Sequence, residues 1–384
     1  MRRIPTSSKL PRVGTTIFTV MSQLAARHDA VNLGQGFPDF DCDPRLQQRL
    51  TEAMHAGHNQ YALMPGVTAL REAIANKNQA VYGHRHDPDV EITITAGATQ
   101  ALMATMLALV HAGDEVIVLE PAYDSYAPAV ALAGGRPVFV TLDHAAGYAP
   151  NWEAVRAAMT SKTRLILINF PHNPTGRVLR QDDIVALERI VNQTGVLLVS
   201  DEVYEHVVFD GVAHYSIMRS PLLAAHSVVI SSFGKTFHTT GWKVGYACAP
   251  PAISAEIRKV HQFMVFAVNT PAQYAIAEHL KHPQPYLDLP NFYQAKRDLF
   301  IRGLARTSFR ALACEGTYFV LADYSQISDL NEEEFAKKLV AEYGVASIPV
   351  SVFYNVPVDH QVVRFCFAKN DSTLNNALAR LSAL

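Results

Sequence analysis

The sequence predicts an α/β domain with a largely parallel sheet, followed by a smaller α+β domain. From about residue 40 to residue 280, short apolar runs alternate with helical patterns, which is typical of parallel strands joined by helices. From Pro271 onward this alternation gives way to long helical patterns with few strands. The chain has 384 residues, 49% of them hydrophobic, which is enough for a large core and two domains.

The first part of the chain contains seven short apolar runs that we interpret as strands. They cover residues 91–95, 115–119, 137–142, 164–169, 196–200, 227–231 and 244–249. Helices are predicted between them, among them residues 99–111, 152–159 and 181–193, so that both faces of the sheet are covered. In the second part we predict one long helix from Pro271 through Phe300, strands at 318–322 and 362–368, and helices near 331–343 and at the C-terminus.

Composition and charge exclude several classes of protein. The formal net charge of -2 favours neither nucleic acid nor a membrane surface as a partner. The basic start of the chain lacks the apolar stretch of a secretory signal, and no apolar run is long enough to span a bilayer, so we expect a cytoplasmic protein. Histidine clusters at 55–58 and 84–86 bring no third ligand from nearby, so we predict no metal site. Four widely spaced cysteines are expected to be buried free thiols: Cys42, Cys248, Cys314 and Cys366.

A lysine-bearing segment follows the predicted strand at residues 227–231. Lys235 stands in Ser-Ser-Phe-Gly-Lys-Thr-Phe-His, just beyond the end of that strand, where ligands bind in open α/β sheets. Partial burial and the second cation, Lys243, would both lower the pKa of Lys235. A free amine at this position can form a Schiff base with an aldehyde. The alternative is an ordinary solvated lysine, which this context disfavours.

The lysine segment carries a family resemblance. The pattern Ser-x-x-Lys, followed eight residues after the lysine by a basic residue in Gly-Trp-Lys-x-Gly, resembles the lysine segment of class I aminotransferases of fold type I. Those enzymes depend on pyridoxal 5'-phosphate (PLP). The resemblance implies a large PLP-binding domain at residues 41–280, with a mixed, mostly parallel seven-stranded sheet, and a small α+β domain formed by residues 1–40 and 281–384. Lys235 would hold the cofactor and, once displaced by substrate, act as the catalytic proton carrier.

A predicted helix N-terminus is suited to the phosphate of the cofactor. The run Thr-Ala-Gly-Ala-Thr-Gln at residues 95–100 joins a strand to a helix, so its backbone amides and a hydroxyl would form an anion site. Alone, such a turn is often only packing. With the resemblance, the implied phosphate site consists of Gly97, Ala98, Thr99, Ser232 and Lys243. Many family members carry arginine where this chain has Lys243, and lysine binds phosphate as a point charge without bidentate geometry.

The resemblance implies four further contacts to the cofactor ring. Asp201, after an apolar strand, would keep the pyridine nitrogen protonated, which makes the ring an electron sink. Tyr204 and Asn173 would donate hydrogen bonds to the phenolic oxygen, and Tyr123 would cover the ring. Three of them have a plainer alternative: Asp201 as a cap or turn residue, Asn173 in a β-turn, and Tyr123 as loop packing. Their order along the chain with Lys235 favours the cofactor site.

Arg364 lies in an otherwise apolar strand, where an unpaired charge is costly. Either a protein carboxylate or a ligand must therefore pair with it. The resemblance assigns Arg364, with the backbone amide of Gly36 and with Asn173, to binding the substrate. The α-carboxylate of an amino acid matches the bidentate guanidinium group.

A closer likeness bears on the substrate class. The motifs Gln-Gly-Phe-Pro-Asp-Phe, Asn-Gln-Tyr and Gly-Trp-Lys-Val-Gly look most like the kynurenine and methionine aminotransferase branch. Phe18, Tyr123, Phe266 and Phe353 fall near pocket positions of that branch, and we find no clear second arginine for a side-chain carboxylate. The resemblance thus implies transfer of the amino group of a neutral, aromatic or thioether L-amino acid to a 2-oxo acid.

The resemblance also implies how the protein assembles. Tyr61, in Asn-Gln-Tyr, resembles the family tyrosine that reaches the phosphate of the neighbouring subunit, so a homodimer with shared active sites is implied; a packed loop tyrosine is the alternative.

Two alternative functions remain. A cysteine-S-conjugate β-lyase on the same fold would use the same cofactor site. A non-catalytic PLP-sensing regulatory domain would require a DNA-binding segment, and we find none before residue 30.

Overall fold

The computed structural model of the chain describes residues 7–11 and 13–384. Its strands are β1 (Val31–Asn32), β2 (Ile92–Thr95), β3 (Glu115–Glu120), β4 (Arg136–Thr141), β5 (Thr163–Asn169), β6 (Leu197–Asp201), β7 (Ser227–Ser232), β8 (Gly245–Cys248), β9 (Arg310–Ala311), β10 (Phe319–Asp323), β11 (Val345–Ala346), β12 (Ile348–Pro349) and β13 (Val362–Cys366). Its α-helices are α1 (Ile17–Arg27), α2 (Pro44–His55), α3 (Thr68–Tyr82), α4 (Gly97–Leu109), α5 (Tyr126–Leu132), α6 (Trp152–Ala158), α7 (Gln181–Thr194), α8 (Pro221–Ala224), α9 (Phe233–Thr236), α10 (Pro251–Met264), α11 (Thr270–Leu280), α12 (Gln284–Leu287), α13 (Leu289–Leu304), α14 (Glu332–Tyr343) and α15 (Asp371–Leu381).

A seven-stranded sheet occupies the first part of the chain, in the order β2-β8-β7-β6-β5-β3-β4. Strand β8 runs antiparallel to both of its neighbours, and the other pairs are parallel. All seven predicted strands are present, with ends that differ from the prediction by at most one residue. Short runs of buried valine, isoleucine and leucine mark strands that are covered on both faces. The predicted α/β fold with a mixed, mostly parallel sheet is therefore confirmed.

Parallel pairing brings the carboxyl ends of neighbouring strands to one edge of the sheet. In β5 and β6, Asn169 pairs with Asp201, and Asp201 in turn pairs with Ile230 of β7. The chain then leaves β7 through Ser232 directly into the short helix α9, which carries Lys235. Residues that are far apart in the sequence thus meet at this edge, which is where ligands bind in open α/β sheets.

A second, smaller set of sheets involves the C-terminal part of the chain. Four antiparallel strands lie in the order β12-β13-β10-β9, and β11 pairs in parallel with β1. The pairing of Val31 with Val345 joins the N-terminal segment to the C-terminal part. The domain limits proposed from the sequence, at residues 41 and 280, stay a prediction, and residues 1–6 and Arg12 lie outside the described part of the chain.

The single long helix predicted from Pro271 through Phe300 is wrong. The structure has three helices there, because α11 ends at Leu280 and α13 begins only at Leu289. Prolines explain the breaks: Pro283 stands just before α12, and Pro290 lies in the first turn of α13. Proline lacks the N–H that an interior helical residue donates, but it is tolerated at helix starts.

Two further expectations can be compared with the structure. All four cysteines are free and buried, as predicted. Within the described part of the chain, no helix has both the length and the apolar character needed to cross a membrane.

Gly245, at the start of β8, allows an unusually close contact between β8 and the start of α4. A Cβ atom at this position would lie 2.8 Å from the carbonyl oxygen of Ser231, 2.9 Å from the carbonyl carbon of Gly97 and 3.0 Å from the amide nitrogen of Ala98. All three are backbone atoms, which cannot rotate away as a side chain can. Only glycine therefore fits here without a shift of the sheet or the helix.

We predict that Gly245→Ala lowers the free energy of unfolding by about 1–3 kcal/mol, the usual cost of overpacking a close contact. Urea denaturation of the purified variant measures the loss. Gly241→Ala is the matched control, because a Cβ atom at Gly241 would meet nothing within 4 Å. Equal stability of the two variants would contradict the packing argument.

Candidate active site

A cavity of about 250 Å³ lies at the carboxyl edge of the large sheet, beside the strands β10 and β13. Many of the residues singled out in the sequence line it: Phe18, Gly36, Ala98, Thr99, Tyr123, Asn173, Asp201, Tyr204, Ser232, Lys235, Lys243 and Arg364. Gly97 adjoins the cavity, since a Cβ atom there would lie 3.0 Å from the Nζ atom of Lys243. The structure thus brings together residues from position 18 to position 364. The individual roles assigned to them stay predictions.

Lys235 projects from α9 into this cavity. Its Nζ atom donates hydrogen bonds to the carbonyl oxygen of Gly36, at 3.1 Å, and to the hydroxyl of Tyr318, at 3.0 Å. Burial lowers the pKa of Lys235 to about 8; Lys243 acts in the same direction, whereas Asp201 opposes the shift. About one tenth of the amine is therefore unprotonated at pH 7, far more than for an ordinary lysine, and this is the form that can act as a nucleophile or a base.

Asp201 is the last residue of β6 and is itself buried. Its Oδ2 atom accepts a hydrogen bond from the hydroxyl of Tyr126 at 2.8 Å, and Asn169 donates to its backbone carbonyl at 2.8 Å. Burial raises the pKa of Asp201 to about 6, although the Tyr126 bond pulls it down. A cationic ligand group against this carboxylate would favour its ionised form.

Two aromatic residues are placed near Lys235 and the cavity wall. The Tyr204 ring is buried, lies 5.8 Å from the Lys235 Nζ atom, and meets the Tyr318 ring edge-to-face at 5.1 Å between centroids. Burial raises the pKa of the Tyr123 hydroxyl to about 12, so that this residue is a neutral hydrogen-bond donor. Both tyrosines can therefore donate to an anionic oxygen of a ligand.

An anion-binding corner lies at the N-terminus of α4. Helix N-termini present free N–H groups and a positive dipole end, and Ala98 and Thr99 are in the first turn of this helix. Lys243 brings an ammonium group over Gly97, and it holds a left-handed backbone with φ of 55°. Ser232 adds a hydroxyl to the same cavity. Charge and donors together fit a phosphate group.

Arg364, in β13, is almost fully buried. Its Nη1 atom donates to Asn173 Oδ1 at 2.6 Å and its Nη2 atom to the carbonyl oxygen of Gly34 at 3.1 Å. The buried Nε atom has no hydrogen-bond partner among the described residues, and the guanidinium lies 3.9 Å from the Phe319 ring centroid. Burial lowers the pKa of Arg364 to about 10. Its hydrogen-bond partners are neutral, and the Asp124 carboxylate acts on it only electrostatically, so an anionic ligand would supply a directly bonded countercharge.

Besides Gly97, three predicted residues lie outside the lining of this cavity. Phe353 is in the next layer, where its ring is 6.0 Å from Phe18, and it lines an adjoining cavity of about 820 Å³ that also includes Phe18 and Tyr123. Tyr61 and Phe266 are elsewhere on the surface, 82% and 49% exposed, with their ring centroids 5.2 Å apart. Neither residue lines the cavity of its own chain.

Sequence reasoning missed several residues of the cavity. Tyr126 and Asn169 hold Asp201, and Tyr318 holds Lys235. A polar residue at the end of a buried parallel strand was a usable signal for Asn169, by the same logic that selected Asp201. Tyr318 had no comparable signal, because its contact with Lys235 joins residues 83 positions apart. Among the described residues, no group of three or more histidine, cysteine, aspartate or glutamate side chains is arranged to hold a metal ion.

The chain matches a known family over most of its length. The family model for aminotransferase class I and II matches residues 28–381. Methionine aminotransferase of Escherichia coli is 51% identical over 378 residues, which cover 98% of each chain. Human kynurenine–oxoglutarate transaminase 1 is 35% identical, over 92% of each chain.

The fold agrees with this assignment. A crystal structure of an Escherichia coli protein with a methionine aminotransferase function superimposes with a TM-score of 0.97, at 51% identity and full coverage of both chains. The cavity with its partly buried lysine and its buried aspartate and arginine lies at the edge of the matched large sheet. The chain belongs to the class I and II aminotransferase family.

Proposed function

We propose that this aminotransferase uses PLP and moves the amino group of a neutral, aromatic or thioether L-amino acid to a 2-oxo acid. One observation carries the proposal: a partly buried lysine with a lowered pKa shares a cavity with a buried aspartate and with a buried arginine whose hydrogen-bond partners are all neutral. These are the groups needed to hold an aldehyde cofactor, a ring nitrogen and a substrate carboxylate. We further propose that the protein acts in the cytoplasm.

The residues of the cavity fit PLP. The α4 N-terminus with Ser232 and Lys243 would hold the phosphate, and the positive φ of Gly97, with its 3.0 Å contact to Lys243 Nζ, disfavours a side chain in that corner. We assign the Asp201 carboxylate to the pyridine nitrogen and Tyr204 and Asn173 to the phenolic oxygen. When bound, PLP supplies an aldehyde and an electron-withdrawing ring that makes the substrate Cα proton acidic.

Lys235 then has two tasks in this proposal. Its amine would bind the cofactor aldehyde between turnovers and would be released when substrate binds. As a free base it would carry the proton between the substrate Cα atom and the C4′ atom of the cofactor. The lowered pKa of Lys235 suits both tasks, because a protonated amine can do neither near neutral pH.

Arg364 would position the amino acid through its α-carboxylate. The Nε atom is free to donate, and the present bonds of the two Nη atoms to neutral acceptors can be exchanged for stronger charge-assisted ones. We assign the amide of Gly36 to the same carboxylate. Holding the substrate in this way fixes the Cα–H bond relative to Lys235.

The surroundings of the cavity favour uncharged side chains. Phe18, Phe319 and Phe353 surround the Arg364 guanidinium, at 5.3, 3.9 and 5.2 Å from its central carbon. Arg258 is bound to backbone oxygens of Asp89 and Ile92, away from this wall. Apolar contact contributes roughly 25 cal/mol per Å² buried, whereas a second carboxylate would lose its hydration without gaining a partner. The names of the relatives from Escherichia coli and human agree with methionine and kynurenine as candidate donors.

The β-lyase alternative needs only a leaving group on the substrate Cβ atom. It is distinguished by its products, because a lyase releases pyruvate, ammonia and a thiol from a cysteine S-conjugate, whereas a transaminase returns the intact 2-oxo acid. A PLP-sensing regulator would bind the cofactor without converting either substrate. The likeness to named aminotransferases over nearly the whole chain favours transamination.

We predict that kcat/KM for methionine exceeds kcat/KM for aspartate by about 100-fold, or roughly 2.7 kcal/mol, because the aspartate side chain must bury an unpaired charge. Both donors are assayed with one common 2-oxo acid, so that the second half of the reaction is shared. Phenylalanine serves as the matched apolar control and should group with methionine. A preference for aspartate would show that the proposed substrate class is wrong.

We also propose a homodimer with shared active sites, supported by an exposed apolar surface. This Tyr61 patch consists of Tyr61, Leu63, Phe263 and Phe266, which are 82%, 65%, 88% and 49% exposed. Large exposed apolar patches are uncommon on monomers and mark interaction sites. A second copy of the chain covering the patch would bring its own Tyr61 toward the phosphate corner of the first, as the family resemblance implies.

Mixing Tyr61→Phe and Lys235→Ala subunits tests the sharing. If Tyr61 acts in the partner's site, a mixed dimer holds one site with both changes and one with neither. Random exchange makes half of the dimers mixed, so about one quarter of wild-type activity should return. No recovery above the residual activity of Tyr61→Phe, with subunit exchange verified, would contradict a shared site.

A further inference from the structure

A buried ion pair lies next to the active-site strands, and the proposed mechanism does not use it. Lys77, on α3, contacts Glu205, just beyond β6, at 2.6 Å between Nζ and Oε2. The two side chains are 3% and 2% exposed. Burial alone would raise the pKa of Glu205, but the Lys77 ammonium holds it well below its usual range. Glu205 is therefore a buried anion.

Hydroxyl groups saturate the rest of this carboxylate. Its Oε1 atom accepts hydrogen bonds from Ser231 at 2.5 Å and from Tyr246 at 3.1 Å, and its Oε2 atom accepts from Tyr82 in addition to Lys77. Lys77 also donates to the Tyr246 hydroxyl at 2.8 Å. We call this set of five residues the Glu205 network. Such bonds are directional and strong in a buried, low-dielectric environment.

Three members of the Glu205 network are chain neighbours of residues assigned to the cofactor. Glu205 follows Tyr204, and Ser231 precedes Ser232. Tyr246 follows Gly245, whose backbone lies against the first turn of α4 at the phosphate corner. One carboxylate thus links the end of β6, the end of β7 and the start of β8, which is the antiparallel strand between β7 and β2.

We propose that Glu205 and Lys77 are positioning residues for the cofactor site, fixing Tyr204, Ser232 and the Gly245 contact relative to one another. The inference rests on the proposed PLP-dependent function. Net stability alone does not require a buried ion pair, because well-packed apolar pairs often serve stability as well or better. Its directional bonds, by contrast, specify the spacing of three strand ends, and the phosphate and phenolic oxygens must be met at fixed distances.

The test measures cofactor binding and stability separately in Glu205→Gln. The dissociation constant for PLP is obtained by fluorescence titration of the apoprotein, and the melting temperature is measured on the same apoprotein. We expect the dissociation constant to rise about tenfold or more, since the glutamine amide replaces one acceptor oxygen by a donor that faces other donors. At saturating PLP, kcat should fall while KM for methionine stays near the wild-type value, because Arg364 lies on β13, outside the network.

Glu332→Gln is the matched control. Glu332 is an equally buried carboxylate that accepts backbone N–H groups of Ser351, His360 and Val362, at 2.5, 3.1 and 3.1 Å, in the C-terminal part of the chain. Its replacement should lower the melting temperature without changing the PLP dissociation constant. If both variants weaken PLP binding equally, the effect follows stability alone and the inference is overturned.

The double variant Lys77→Met/Glu205→Gln separates charge from position. It removes both charges, so no buried charge is left unpaired and the melting temperature should recover. If Glu205 and Lys77 position the cofactor site, PLP binding stays weak in the double variant; recovery of binding together with the melting temperature would overturn the inference.

Tyr82→Phe, which removes one hydroxyl, extends the test if Glu205→Gln does not fold. It is expected to raise the dissociation constant for PLP severalfold. Unchanged binding in every folded network variant would reject the inference, whereas a wild-type protein that binds no PLP would instead reject the proposed function.

Discussion

The burial of charge is the constraint on which this site depends. Lys235, Asp201 and Arg364 are ionisable groups that share one cavity, and burial shifts the pKa of each toward its neutral form, to about 8, 6 and 10. Removing such groups from water costs free energy that hydrogen bonds to neutral partners only partly offset. A ligand with a cationic group at Asp201, an anionic group at Arg364 and an aldehyde at the Lys235 amine would relieve all three, as the proposed cofactor and substrate would.

The hydrogen-bond partners of these three ionisable groups come from several different segments of the chain. The parallel register places Asn169, Asp201 and the end of β7 side by side, so that strand ends supply the polar groups and strand interiors stay apolar. The antiparallel sheet contributes Arg364 from β13, where it pairs with Leu321 of β10. The Glu205 network lies behind the same strand ends and contains a buried ion pair near the site. Each of these buried charges is held by hydrogen bonds from at least two different segments of the chain.

The sequence patterns predict the fold class and the polar residues at the ends of the strands. Apolar runs located the seven strands, and a polar residue just after such a run located Asp201 and Lys235 without any coordinates. The sequence could not reveal contacts that depend on folding distant segments together, such as Tyr318 with Lys235 or Lys77 with Glu205. Neither pair has a periodic pattern, and their members are 83 and 128 positions apart. Pro283 is a sequence signal for the helix break. The apolar residues on either side nevertheless follow helical spacing, which predicts one continuous helix.

The central claim is that Lys235 is the residue that holds the cofactor. The direct measurement is to load the purified protein with PLP, reduce it with sodium borohydride, and locate the added mass by peptide mass spectrometry. Reduction makes the bond between a lysine amine and the cofactor aldehyde permanent, so the modified residue survives digestion. We expect one phosphopyridoxyl group per chain, on Lys235, and none on Lys243, which lines the same cavity. A group found on another lysine, or no modification of a protein that binds PLP, would contradict it.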